Sequence, residues 1–267
     1  MTHRILVLSL LILLAATGQA VAAEPLRLRI LSYNVHHCEG VDGKLDVQRI
    51  ASVISALKPD LVALQEMDNR CTRSDNVDQP AELARLTGMH GVFGKNIDLQ
   101  GGGYGNAVLS RWPVISHHNE VLPCLEKGEQ RGALMVDLKV PHGDSGESAV
   151  PLTFISTHLD HRPMHDERMI SADVLNELQK GSTEKKMILA GDLNAGPDSP
   201  VLERFLTQWK NTASKPLPTV PVNKPRTQID YILLSPSVQG TVLDCFVPGE
   251  QIASDHRAII AEIELVP

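Results

Sequence analysis

Leu189-Ala190-Gly191-Asp192-Leu193-Asn194 and Ser254-Asp255-His256 each place polar side chains at the end of an apolar run. A buried strand that stops at Asp-x-Asn or at Asp-His delivers carboxylate, amide and imidazole groups to one rim of a sheet. Such a set can hold a hard cation and activate a water, which is the chemistry of a metal-dependent hydrolase. Asn34, Gln65-Glu66, and His158 with Asp160 also close apolar runs, and Asp230-Tyr231 opens one. Glu66 and Asp255 are carboxylates suited to Mg2+ or Mn2+, and Asn34 can add an amide oxygen, because both ions prefer oxygen ligands. A cation on a phosphoryl oxygen relieves the repulsion that shields a phosphoester from nucleophiles.

Other polar residues have plainer readings. Asp160, His161 and Arg162 fit a surface loop as well as a site. Asp78-Gln79 reads as a helix start. His36-His37 and His117-His118 are adjacent pairs, and adjacent residues on a strand point to opposite faces. They read as loop residues rather than zinc ligands. Arg131 and Lys224 are candidates to meet an anionic substrate, with ordinary salt bridges or solvation as the alternative.

The elements that must position these groups alternate along the chain. Leu26, Leu28 and Ile30 alternate with Arg27 and Arg29, a strand signal leading into Tyr33-Asn34. Val47, Ile50, Ala51, Ile54 and Leu57 follow helical spacing, with Asp46 as N-cap and Pro59 as stop. Leu61 to Leu64 is a short buried strand. A helix over 80–87 starts at Pro80 and ends before Gly88. Gly101 to Gly105 reads as a flexible turn before a strand over 106–110. Gly132 to Val140 and Val150 to Thr157 form a hairpin about the polar loop His142 to Ser148. Met169, Ala172, Leu175 and Leu178 mark a third helix, closed by Gly181. Met187 to Ala190, Ile229 to Leu234 and Ala258 to Leu265 supply three further strands. The Pro-rich stretch Pro216 to Pro225 reads as a rim loop. Hairpins mixed with βα units predict a layered α/β or α+β domain with mixed sheets.

Arg4, the apolar run Ile5 to Ala16 and the small residues of Gln19-Ala20-Val21-Ala22-Ala23 read as a secretory signal peptide over 1–23. An uncleaved N-terminal anchor is the alternative, though the run is short of the ~20 residues of a membrane span. Residues 24–267 suffice for one large domain, secreted or periplasmic. The net charge of −7 is one unit more negative without Arg4, which disfavours a dedicated nucleic-acid binder. Aromatics make up only 3% of the chain, too few for a base-stacking platform. Export permits disulfides; Cys71 and Cys124, both in polar loops, are the candidate bridge, and four isolated thiols, with Cys38 and Cys245, are the alternative.

Seven motifs run in order from Leu26 to Leu265: Ser32-Tyr33-Asn34, Leu64-Gln65-Glu66, Gly105-Asn106-Ala107-Val108-Leu109-Ser110-Arg111, Thr157-His158-Leu159, Gly191-Asp192-Leu193-Asn194, Ile229-Asp230-Tyr231 and Ser254-Asp255-His256. In these the chain resembles the endonuclease/exonuclease/phosphatase superfamily of deoxyribonuclease-I-like phosphoesterases. The resemblance implies a four-layer α/β/β/α sandwich with two packed mixed β-sheets and the site at one edge. It implies Glu66 as main metal ligand with Asn34 and Asp255 beside it. Asp192 would orient or deprotonate the attacking water, and Asn194 would position the phosphate or nucleophile. His256, paired with Asp230, would face the scissile phosphate; His158 would be the second charge-stabilising histidine; Asn106 would line the site. The implied enzyme is a Mg2+- or Mn2+-dependent phosphodiesterase. Its expected partner is a phosphate ester: nucleic acid, which the charge does not favour, or a phospholipid or GPI-type head group. A monomer is expected. The alternative is a catalytically inactive relative that binds a phosphorylated ligand or a partner protein.

Overall fold

A strand buried on both faces is largely apolar, and its two faces serve different cores. In the first strand, β1 (Leu26–Asn34), Leu28 and Ile30 face one way and Leu31 and Tyr33 the other. The same split recurs in β8 (Lys186–Asp192), where Ile188 and Ala190 oppose Met187 and Leu189, and in β10 (Asp230–Leu234), where Ile232 and Leu234 oppose Tyr231 and Leu233. One set from each strand meets in a central core between two sheets. The other set meets helices outside. The result, in a computed structural model that describes residues 25–142 and 148–266, is the four-layer α/β/β/α sandwich. The expected signal peptide over 1–23 and residues 143–147 of the expected hairpin loop lie outside the described residues.

The first sheet has the strand order β11-β12-β1-β2-β4-β3. Here β2 is Leu61–Asn69, β3 His90–Leu99, β4 Gly102–Ser110, β11 Gly240–Phe246 and β12 Ile259–Leu265. Helices α1 (Val47–Leu57) and α2 (Gln79–Thr87) cover its outer face through Ile50, Ala51, Ile54 and Leu83. The second sheet has the order β5-β6-β7-β8-β10-β9, with β5 Val114–Val121, β6 Gly132–His142, β7 Ser148–His158 and the two-residue β9 Lys210–Asn211. Helices α3 (Asp166–Lys180) and α4 (Pro200–Leu206) cover it through Ala172, Leu175, Val201, Leu202 and Phe205. No helix among the described residues is long and apolar enough to cross a membrane.

Each sheet contains one parallel pair, β1 with β2 and β7 with β8, and in each an α-helix makes the crossover. Ligand sites in such sheets lie beyond the carboxyl ends of parallel strands. Asn34, Glu66, His158 and Asp192 lie at or near those ends. The antiparallel neighbours β10 and β12 begin where the parallel strands end, which brings Asp230 and His256 to the same rim: Asp230 is the register partner of Asp192, and Asp192 that of His158.

The helix caps follow the sequence. Asp46 accepts from the Arg49 amide and Asp78 from the Ala81 amide. Three expectations need correction. Gly102 to Gly105 belong to β4 rather than to a flexible turn, and a Cβ on Gly105 would lie 2.0 Å from the Gly94 carbonyl of β3, so glycine here permits close strand approach. The strands β3, β5 and β11 and the short α4 were not anticipated. The Cys71–Cys124 bridge is absent, since all four cysteines are free. Cys71 is buried after β2 with its thiol donating to the Gly103 carbonyl, whereas Cys124 is exposed in the loop after β5.

Candidate active site

Gly191 precedes the acid of the Gly-Asp-x-Asn motif for a steric reason. A Cβ there would lie 2.0 Å from the Thr157 carbonyl of β7. Asp192 then turns the chain on itself, its Oδ1 accepting from the Asn194 amide at 2.8 Å in an Asx turn. Asn194 adopts φ 48°, a left-handed conformation that asparagine tolerates. Its side-chain amide donates to the Leu159 carbonyl at 3.0 Å and lies beside His158.

Ser254 explains the start of the Ser-Asp-His motif. Its hydroxyl donates to the Asn34 carbonyl at 2.7 Å and accepts from the His256 amide, pinning the approach to β12 onto the end of β1. His256 Nδ1 meets Asp230 Oδ2 at 3.0 Å. Its Nε2 lies 3.7 Å from Asp192 Oδ2, and His158 Nε2 lies 3.6 Å from the same oxygen. Burial opposes charge on His256, but Asp230 and Asp192 outweigh it and push the imidazole up to about 10. Burial, then the negative charge of Asp230, pushes Asp192 up to about 7. Burial and the neighbouring Arg131 hold His158 well below the ordinary histidine value, so its ring is neutral. Arg131 Nη1 lies 3.2 Å from His158 Nδ1 and Asn194 Nδ2 lies 3.1 Å from its Nε2, so a donor group faces each ring nitrogen.

Glu66 reaches the rim through a β-bulge. The β2–β4 register shifts between Leu64 and Met67, so Gln65 and Glu66 together oppose Asn106. Glu66 takes φ 60° and turns outward. Gln65 stays buried and donates to Ser156 Oγ at 3.3 Å, a polar tie between the two sheets. Asn106 makes a second tie, donating to the Gly132 carbonyl at 2.9 Å. Asn34 joins the two halves of the rim. Its Nδ2 donates to Glu66 Oε1 at 2.8 Å and to Asp192 Oδ2 at 3.2 Å.

The structure thus brings Asn34, Glu66, His158, Asp192, Asn194, Asp230 and His256 into one linked cluster. It treats the remaining candidates differently. Asn34 turns its amide nitrogen, not its oxygen, toward Glu66; the oxygen accepts from the His36 amide. Asn106 is fully buried between the sheets. Arg131 is buried behind His158 and paired with Glu129 at 2.9 Å, so it supports an imidazole instead of meeting solvent. Asp255 is exposed and accepts only from the Ser254 hydroxyl among the described residues. Lys224 is exposed on the Pro-rich loop with no side-chain partner among the described residues. Asp160 and Arg162 pair with each other beyond β7. Residues missed in the sequence are structural partners of the cluster: Ser254 and Gln65, whose places inside two motifs were the available signal, and Glu129, which had none.

The chain as a whole has likenesses among known proteins. A model of the Endonuclease/Exonuclease/phosphatase family matches residues 31–256. The uncharacterized protein YbhP of Escherichia coli K12 is 26% identical over 181 residues, covering 65% of this chain and 68% of that protein. Among solved structures, an endonuclease/exonuclease/phosphatase of Beutenbergia cavernae superposes with TM-score 0.74 at 24% identity, covering 90% of this chain and 72% of that one. A mannosyl-6-phosphatase of Bacteroides thetaiotaomicron superposes with TM-score 0.65 at 18% identity, covering 88% and 99%. Truncated TDP2 of Caenorhabditis elegans gives 0.67 at 18%, covering 89% and 97%.

Proposed function

Since the chain belongs to the endonuclease/exonuclease/phosphatase family, we propose that it is a divalent-metal-dependent phosphodiesterase, exported after loss of residues 1–23. Family members are hydrolases that act on phosphoester bonds and typically depend on a divalent metal. The observation that carries the reading is the convergence of His158 and His256 on one Asp192 carboxylate oxygen, linked through Asn34 to Glu66.

Glu66 suits a cation. One carboxylate oxygen is held by Asn34, and the other has no hydrogen bond among the described residues. Asp255 would add a second carboxylate, Asn34 would hold Glu66 in place through its amide nitrogen, and a bound Mg2+ or Mn2+ would offset phosphoryl charge. The gaps of 3.6 and 3.7 Å from Asp192 to the two imidazoles exceed a hydrogen bond, and a bridging oxygen would fill them. Asp192 would take a proton from a water held there. Its raised pKa suits a general base working near neutrality. His256, kept charged by Asp230, would donate to a phosphoryl oxygen. His158, held neutral, would face the charge that builds in the transition state.

Hydrolysis of bis-p-nitrophenyl phosphate by the purified chain, with and without EDTA, tests this. Metal-dependent release is expected. A folded chain that releases nothing with any divalent ion would instead be a binder of phosphorylated ligands. DNA, RNA, sphingomyelin, glycerophospholipids and inositol phosphates then form the substrate panel, and a phosphodiester among them is expected to react fastest. Export predicts a mature N-terminus at Glu24, read by N-terminal sequencing of protein from outside the cytoplasm.

A further inference from the structure

On a strand, His36 and His37 would face apart. They are not on a strand. His36–Cys38 form a 3-10 turn in which all three residues are left-handed, with φ 45°, 42° and 63°. For residues other than glycine that geometry costs roughly 1–2 kcal/mol each, and such strain is held where it serves a site. The turn sets the two rings edge to face with centroids 4.5 Å apart. One nitrogen from each ring and one Glu66 carboxylate oxygen all lie within 4.8 Å of one another. We propose that His36, His37 and Glu66 form a binding site for a divalent transition metal of the Zn2+ class. It rests on the phosphoesterase reading only in sharing Glu66 with the oxygen-ligand position.

The hydrogen bonds of the two rings leave a lone pair on each. His36 Nδ1 lies 3.2 Å from the Glu39 carbonyl, which can only accept. Nδ1 therefore carries the proton, and Nε2 is free to ligate. His37 Nε2 lies 3.4 Å from the Glu39 carboxylate, which fixes the opposite tautomer and frees Nδ1. That Nδ1 is buried with no partner among the described residues, in a residue only 8% exposed. A buried nitrogen without a partner is costly, and a metal would satisfy it. Glu39 thus acts as the outer shell for both rings, the usual means of orienting a ligating histidine. Gln79 fixes the turn from below: its Nε2 donates to the His37 carbonyl at 2.7 Å and its Oε1 accepts from the Asp68 amide at 3.1 Å. Two imidazoles with one carboxylate favour Zn2+ and its neighbours over Mg2+, and the same donor set with an open position serves known zinc sites.

The test uses the metal alone. The metal-stripped chain titrated with Co2+ should develop visible absorption from nitrogen-containing coordination. Zn2+ should displace the Co2+, and Mg2+ should not. His36→Ala should weaken Co2+ and Zn2+ binding at least ~100-fold, and Glu39→Ala by about 10–100-fold, the scale of losing an outer-shell partner. Asp192→Ala should leave the spectrum in place. No Co2+ spectrum in the intact chain, or an unchanged affinity in His36→Ala, would overturn the site. Should His36→Ala not fold, the imidazole 15N shifts of the intact chain decide: both His36 and His37 must move on adding Zn2+, and stationary shifts reject the proposal. These readouts do not involve turnover, so their failure leaves the phosphoesterase reading standing. Lost hydrolysis with Zn2+ binding intact would sink only that reading.

Discussion

On one side of Asn34 lie His158, Asp192, Asp230 and His256, all buried; on the other lie Glu66 and His36, both partly open to solvent. The buried side is paired with itself. Its imidazoles and carboxylates meet one another, and burial together with Asp230 moves their pKa values. The open side is built on left-handed backbone at His36, His37, Cys38 and Glu66 and keeps unused lone pairs. The contrast follows from what each chemistry needs. Proton transfer benefits from groups that feel each other through a low dielectric. A metal site needs free lone pairs and a path of entry. Asn34 is the hinge between them, because its one amide nitrogen holds a carboxylate of each side.

The largest break should come on the buried side. Asp192→Ala or His256→Ala should lower kcat by ~10²–10⁴-fold, the scale of losing an acid/base group. Bis-p-nitrophenyl phosphate hydrolysis by a variant with native circular dichroism measures it. Near-normal turnover would take that residue out of the mechanism. On the open side, Glu66→Gln should raise the metal concentration for half-maximal rate by at least about tenfold while leaving the pH profile in place. A shifted profile with an unchanged metal requirement would show that the two sides do not divide the labour this way.

The pH profile sharpens the contrast further. The rate should rise through about 7 as Asp192 ionises and fall through about 10 as His256 loses its proton. The negative charge of Asp230 raises both groups, since it disfavours a second carboxylate and favours an imidazolium. Asp230→Asn should therefore move both limbs to lower pH. Limbs that stay put, or move up, would mean that the His256–Asp230 contact at 3.0 Å does not set the charge.

Much of this was legible in the sequence, for a physical reason. β8 and β10 are buried on both faces, so their apolar runs are unbroken and the polar residues that end them stand out. β5 and β11 are edge strands with largely exposed faces and no such run. α4 was hidden by its length, though Ser199 and Pro200 carry its cap signal. The strand-end acids and histidines of the site were readable because strand register delivers them. The His36–His37 pair was not, because left-handed backbone at three successive non-glycine residues leaves no trace in propensity. The depth of Arg131 was equally invisible: it follows the polar Gly128-Glu129-Gln130, and only the fold turns it inward behind His158.

The smallest effect should separate the two sides without touching either directly. Gln79 is fully buried, has no side-chain hydrogen bond to a group of the buried side among the described residues, and joins the His37 carbonyl to the Asp68 amide. Gln79→Ala leaves both backbone groups buried and unpaired, which should cost about 1–3 kcal/mol, read as a lower denaturant midpoint. Turnover in Mg2+ should change by no more than a few-fold, and the limbs near 7 and 10 should stay in place, because Asp192, Asp230 and His256 keep their partners. Co2+ affinity should fall, because the histidine turn loses its anchor. Gln79→Glu distinguishes anchoring from bulk. A carboxylate still accepts from Asp68 but repels the His37 carbonyl, so it should restore volume without restoring Co2+ affinity. If Glu restored both, packing alone would hold the turn, and the hydrogen bond to His37 would have no part in orienting the ring.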